Sequence, residues 1–252
     1  MEINEFSTNL LFILFIIAIV AGFIDTLAGG GGLLTMPALM ISGVPPLAAL
    51  GTNKLQGSVG TATSTYMMIK HKRIHWHDIK YLMLLAFIGS TFGSIAVQFI
   101  NVDVLSYVIP FVLMLIIIYF VISPMPHNND SEGRLSKSKY QYGVIPAIGW
   151  YDGMFGPGTG SFFSLAGVAL RGHGLINSTA IAKALNFSTN IASLFIFIIA
   201  GQIVWLIGFV MMLGQLIGAW LGSHCLFKIN PIYLKMIVVL MSVAMLIKYI
   251  YK

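Results

Sequence analysis

Two lysines, Lys54 and Lys183, stand inside apolar stretches, "ALGTNKLQGSVGT" and "AKALNFSTNIASL". A lysine within a membrane segment is costly to hold and is by default functional. Each has polar company: Thr52, Asn53 and Gln56 around the first, Asn186, Ser188, Thr189 and Asn190 around the second. At a spacing of four, Thr52 and Gln56 share one helix face, as do Asn186 and Asn190. Upstream of each lysine an aspartate precedes a glycine-rich break. Asp25 leads into Gly29, Gly30, Gly31 and Gly32, and Asp152 leads into Gly156, Gly158 and Thr159. Backbone freed from a helix is expensive in hydrocarbon and survives only where it is buried in protein or lines a wet cavity. A helix that restarts after a break points free N–H groups and a partial positive charge at the break, which is a receptive place for an anion. The chemistry expected is therefore binding of a small anion. The two breaks would supply N–H groups, the lysines charge, and Asn53, Gln56, Asn186 and Asn190 orientation.

Other readings of the same residues stay open. Asp25 could pair with Lys54, and Asp152 with Lys183, as ion pairs that only hold the fold. Each aspartate could bond the N–H groups freed by its own break, or carry a proton that couples transport. Other motifs read more plainly. His71, His75 and His77 have only Asp78 nearby and read as a solvated basic loop, not a metal site. Gly89 with Gly93, and Gly214 with Gly218, suit close helix packing. The stretch "GPGTG" lacks the Gly-Lys-Ser/Thr of a phosphate loop. His224 and Cys225 read as structural. No nucleophile–base pair stands at membrane depth, so neither enzymatic activity nor a cofactor is expected. A membrane-embedded enzyme and an anion channel remain the alternatives to a transporter.

The elements that must position these residues follow from composition. The chain has 252 residues, 58% hydrophobic and 9% charged, against about 25% charged in a soluble domain. The fold class expected is an all-α polytopic membrane protein whose partner is the lipid bilayer. Its single cysteine excludes an internal disulfide. The net charge of +6 is read as the loop bias of membrane proteins, not as a nucleic-acid surface. Glu2 and Glu5, with no basic residue near them, do not make a signal peptide, so residues 9–28 are expected to stay as the first membrane segment. Spans long enough to cross are expected at 9–28, 46–69, 81–100, 104–122, 141–156, 175–199, 203–225 and 232–250. Two short pieces, 32–43 and 159–170, follow the breaks as short spans or re-entrant halves.

The two halves resemble each other. "AGFIDTLAGGGGLLTMPAL" (21–39) lies over "IGWYDGMFGPGTGSFFSLA" (148–166), and "TNKLQGSVGT" (52–61) over "IAKALNFSTN" (181–190). Trp76 then falls on Trp205, and Gly89 and Gly93 on Gly214 and Gly218. The organisation expected is a first transmembrane repeat at 9–122, a polar cytoplasmic linker at 123–139 and a second repeat at 140–252, the usual build of secondary transporters. Basic residues cluster at 70–80 and in the linker, both expected inside. An odd number of crossings per half puts Arg171, Lys228 and Lys235 inside too and leaves Lys248 and Lys252 outside. An even number reverses these. The odd count, an inverted repeat, fits better by a small margin.

These paired segments are similar to the signature segments of the TauE/SafE family of sulfite exporters, also known as the 4-toluene sulfonate uptake permease family. The resemblance covers about residues 10–250. It implies a multi-pass transporter of the bacterial plasma (inner) membrane that moves small, sulfur-containing anions such as sulfite or sulfonates, working by alternating access between two repeats. A homo-oligomer is left open. Pro157 and Thr159 replace two of the glycines in the second break, which implies two unequal sites, the second more rigid.

Overall fold

The computed structural model describes residues 7–122 and 132–225, together with residues 240, 243 and 247. The expected span at 232–250, the sidedness of Lys228, Lys235, Lys248 and Lys252, and the first part of the linker lie outside the described residues. Within them the chain is helical and contains no strand. In order come α1 (Thr8–Ala28), α2 (Gly32–Ile41), α3 (Pro46–Lys70), α4 (Trp76–Gln98) and α5 (Val102–Ile122). Then α6 (Lys137–Lys139) runs through a π turn (Tyr140–Val144) into α7 (Ile145–Met154), followed by α8 (Thr159–Arg171), α9 (Leu175–Ile199) and α10 (Trp205–Cys225). The π turn stands just ahead of Pro146, whose ring would otherwise press on the preceding turn.

Among the described residues four helices are long and apolar enough to cross a membrane: α1, α4, α9 and α10. Helix α5 is apolar over Val102–Leu115. Helix α3 has 25 residues but is too polar to read as a simple span, and it buries Thr52, Asn53, Lys54, Gln56, Ser58, Thr61 and Ser64. Such a helix is tolerated only inside protein, and α9 and α10 pack along it. Large apolar side chains point outward instead, among them Phe12 and Ile16 of α1, Leu84 and Phe92 of α4, and Leu213 and Leu216 of α10.

Close contacts fix the helix directions. Gly89 and Gly93 of α4 abut the carbonyls of Pro146 and Trp150, so α4 and the α6–α7 helix run parallel. Gly214 and Gly218 of α10 abut the carbonyls of Phe15 and Ile19, so α10 and α1 run parallel. These glycines serve helix packing, as their spacing implied. Helix α3 runs with α10, through Thr52 with Val204 and Gly60 with Gln215. Helix α9 runs with α4, through Ser188 with Met83 and Ser193 with Ser94. It runs against α3, since Gly51 faces Phe197 and Gly57 faces Asn190. Thus α1, α3 and α10 run one way, and α4, α7 and α9 the other.

The same directions orient the two short pieces. Because α1 and α3 are parallel, α2 must return toward the end where α1 begins. Its ten residues cover about 15 Å, half of a hydrocarbon core of about 30 Å. Helix α8 does the same for α7. Its last turn meets the chain just before α6, with Leu135 N–H donating to Leu170 O at 2.9 Å and Arg171 donating to Leu135 O at 2.7 Å. The two basic clusters also share one end of the molecule, where the Tyr81 hydroxyl donates to the Tyr142 hydroxyl at 2.9 Å.

Candidate functional site

Helix α1 stops at Gly29, whose φ of 79° is left-handed and whose N–H closes the last turn on Asp25 O at 2.7 Å. A side chain at Gly29 would meet the backbone of Gly160 and Ser161. Ser161 in turn donates its hydroxyl to Ala28 O, and Gly32 lies against Pro157. The two breaks therefore touch, backbone to backbone, at the centre of the bundle. Close approach is what the glycines permit.

Each break is closed by its own aspartate. Gly31 N–H donates to Asp25 Oδ1 at 3.2 Å. In the second break the Thr159 hydroxyl does the equivalent work, donating to Asp152 Oδ1 at 2.6 Å. The lysines reach across. Lys183 Nζ stands 3.5 Å from Asp25 Oδ2 and donates to Asp25 O. Lys54 Nζ stands 2.8 Å from Asp152 Oδ2 and donates to Asp152 O at 2.6 Å. The Lys54–Asp152 contact is an ion pair off the line of a hydrogen bond, and Asp152 Oδ2 has no hydrogen-bond partner of its own. Each ammonium thus neutralises a carboxylate and also sits on a carbonyl at a helix C-terminus, where the helix dipole favours a cation. The pairs differ from those that neighbouring sequence suggested: Asp25 takes Lys183 and Asp152 takes Lys54.

Between the breaks lies a polar cavity of about 30 Å³. Asp25, Gly29, Gly31, Gly32, Gly156, Gly158 and Thr159 line it from the breaks. Asn53, Gly57 and Thr61 of α3, Asn186 and Asn190 of α9, and Gln215 of α10 complete it. Among the described residues Asp25 is its one ionisable lining residue.

Several expected site residues stand outside this lining. Lys54 and Lys183 are behind it, held by their carboxylates. Gly30 is buried but is not part of the wall. Thr52 and Gln56 turn toward α10: Thr52 Oγ1 accepts from Val204 N–H at 3.0 Å, and Gln56 Oε1 from Gln215 at 3.5 Å. The cavity stripe of α3 is instead Asn53, Gly57 and Thr61. Asn53 is oriented by Thr35 at 2.6 Å and by Gln56 at 3.1 Å, so Gln56 acts one step back.

Gly57, Thr61 and Gln215 are lining residues that the sequence reading did not single out. Two had a visible signal, because the paired segments set Gly57 over Asn186 and Thr61 over Asn190. Gln215 sits inside the Gly214–Gly218 spacing, opposite Ser90, where a polar side chain has no packing role. Among the described residues no cluster of His, Cys, Asp and Glu could hold a metal. His71, His75 and His77 are exposed, as expected.

Residues 14–249 match the family described as "Sulfite exporter TauE/SafE". The chain belongs to this family. Its relatives include the "Probable membrane transporter protein" of Haemophilus influenzae, 41% identical over 247 residues, 98% of this chain and 97% of the relative. They also include the "Probable membrane transporter protein YfcA" of Escherichia coli K12, 40% identical over 245 residues, 97% of this chain and 91% of the relative. No solved structure gives a significant match. Family membership and the four long apolar helices together make this TauE/SafE protein a multi-pass membrane protein.

Proposed function

We propose that this TauE/SafE protein is a secondary transporter of small anions, sulfur-containing by family, working by alternating access of two inverted repeats in the bacterial inner membrane. The observation that carries the reading is a cavity bounded by both glycine breaks and by polar side chains of α3, α9 and α10. The beginnings of α2 and α8 both face it with Gly31, Gly32, Gly158 and Thr159, and such helix starts favour an anion. Family and relatives support the transporter class.

Helix direction supports inversion. Every sequence-matched pair, α1 with α7, α3 with α9 and α4 with α10, runs antiparallel. The crossed ion pairs are reciprocal under the same matching. The shared end of the loop at 71–75 and the chain at 132–139 supports a cytoplasmic face there, since both are rich in Lys and Arg. In this reading the substrate oxygens take the N–H groups of the breaks and the amides of Asn53, Asn186, Asn190 and Gln215. Lys54 and Lys183 supply the positive background.

The test is a thermal-unfolding panel on detergent-purified protein with sulfite, sulfate, thiosulfate, taurine, sulfoacetate, toluene sulfonate and phosphate at matched ionic strength. A ligand at 100 times its Kd adds about 2.7 kcal/mol of stability. One sulfur anion should stabilise the wild type and fail on Asn186→Ala. Flux of that anion unchanged by the double substitution Lys54→Ala, Lys183→Ala would remove the site assignment.

A further inference from the structure

The lining of the cavity poses a problem for an anion site. Its one ionisable residue is a carboxylate, and the two lysines stand behind the wall. The position of that carboxylate answers the problem. Asp25 Oδ1 accepts from Gly31 N–H, and Oδ2 faces the Lys183 ammonium. A break N–H and a buried ammonium are the donors a bound oxyanion would use. Size points the same way. A water needs roughly 10–15 Å³ of such volume, so the cavity of about 30 Å³ holds about two waters, too little for a sulfonate or sulfate group. Something must withdraw to admit one.

We propose that the Asp25 carboxylate is an internal substitute for the substrate, and that a proton taken up by Asp25 releases Gly31 N–H and Lys183 to the incoming anion. The inference rests on the anion site proposed above and adds its coupling ion. The balance is simple: one proton binds Asp25, one anion replaces its charge beside Lys183, and for a monoanion the charge of the site is unchanged. Asp152 does not share this role. It is 1% exposed against 15% for Asp25, lies outside the lining, and is tied to Thr159 as well as to Lys54.

Of the charged groups on the elements packed around Asp25, one faces its carboxylate and the others are held elsewhere. Helix α9 brings Lys183 to it, and α3 brings Lys54, which Asp152 holds. Helix α2 carries no ionisable residue, Arg171 of α8 is engaged by Leu135 O, and His224 of α10 is exposed and bonded to Trp220 O. Cys225 ends α10 beyond it.

The experiment measures binding of methanesulfonate, sulfate and thiosulfate, whose charges are constant from mildly acidic to mildly alkaline pH, to the full chain in detergent. In the wild type the apparent Kd should rise tenfold per pH unit once Asp25 is ionised, with about one proton taken up per anion bound in weakly buffered solution. Asp25→Asn should bind with a flat pH profile, and Asp152→Asn should keep the wild-type slope. Wild-type binding that is flat in pH and takes up no proton overturns the proposal and leaves the anion site standing. So does a wild-type slope that persists in Asp25→Asn. Absence of binding by all three anions to both wild type and Asp25→Asn overturns the anion site together with the proposal. Binding by Asp25→Asn alone supports the substitute. If Asp25→Asn does not fold, proton uptake by the wild type decides.

Discussion

The two crossed ion pairs use the same residue types at matched positions, yet they occupy different environments. Lys54–Asp152 is sealed, 1% exposed on each side and 2.8 Å apart. Lys183–Asp25 is longer at 3.5 Å, and its carboxylate reaches the cavity. The cause is local. Thr159 supplies a hydroxyl that pins Asp152, where the matching position of the first break is Gly32, which has no side chain to offer. The second break thus holds its carboxylate with one more hydroxyl, and the first leaves its carboxylate at the cavity. One pair is sealed inside the protein and the other stands at the cavity.

The largest effect expected comes from splitting the sealed pair. Lys54→Ala leaves Asp152 charged, buried and unpaired, which costs about 3–5 kcal/mol, read as loss of thermal and denaturant stability in detergent. Lys183→Ala should cost less, about 1–3 kcal/mol, because Asp25 can hydrate from the cavity. Equal losses would erase the distinction between the pairs.

The glycines at the breaks give a second contrast. Both Gly29 and Gly156 are left-handed, at φ 79° and 88°. Alanine at Gly156 meets only the ends of the Lys54 and Asn53 side chains, so its cost is the strain of that conformation, about 1–2 kcal/mol. Alanine at Gly29 meets the backbone of Gly160 and Ser161, which cannot swing aside. Overpacking adds about 1–3 kcal/mol and separates the two breaks. Expression-normalised unfolding and anion binding should both suffer at Gly29, and binding less than stability at Gly156.

What could be read in the sequence depended on how local its cause was. The apolar helices, the breaks, the buried lysines and the packing glycines each carry a signal within a few residues. Near full-length family membership was also legible from "FIDTLAGGGG" and "WYDGMFGPGTG" together. The partners of the charges were not. Asp25 lies nearer Lys54 in sequence than Lys183, and only the interleaving of the halves, with α1 beside α10 and α7 beside α4, sets the crossing. The cavity stripe of α3 was missed by one residue, about 100° of helix rotation. Polar spacing at Thr52 and Gln56 reports a polar face, while the face turned to the cavity, Asn53–Gly57–Thr61, contains a glycine that a polarity count passes over. Reading Gly57 and Thr61 through their matches Asn186 and Asn190 would have corrected the phase.

The smallest effect separates two polar seams. Between α4 and α9, Ser90 and Ser94 bond Ser193 at 2.7 and 2.8 Å, away from the cavity. Between α3 and α10, Gln215 meets Gln56 at 3.5 Å and also lines the cavity. Interhelical hydrogen bonds in membranes average about 0.6 kcal/mol and reach about 1.7. Ser193→Ala and Gln215→Leu should therefore each cost stability on that scale, and unfolding alone will not tell them apart. Anion binding will. Ser193→Ala should leave affinity unchanged, since its hydroxyl serves only the α4–α9 contact. Gln215→Leu removes an amide from the cavity wall and puts an apolar group in its place. Affinity should fall about tenfold, the equivalent of one neutral hydrogen bond of about 1.4 kcal/mol. If Ser193→Ala weakens binding as much as Gln215→Leu does, the α4–α9 seam moves with the site, and the distinction between the two seams fails.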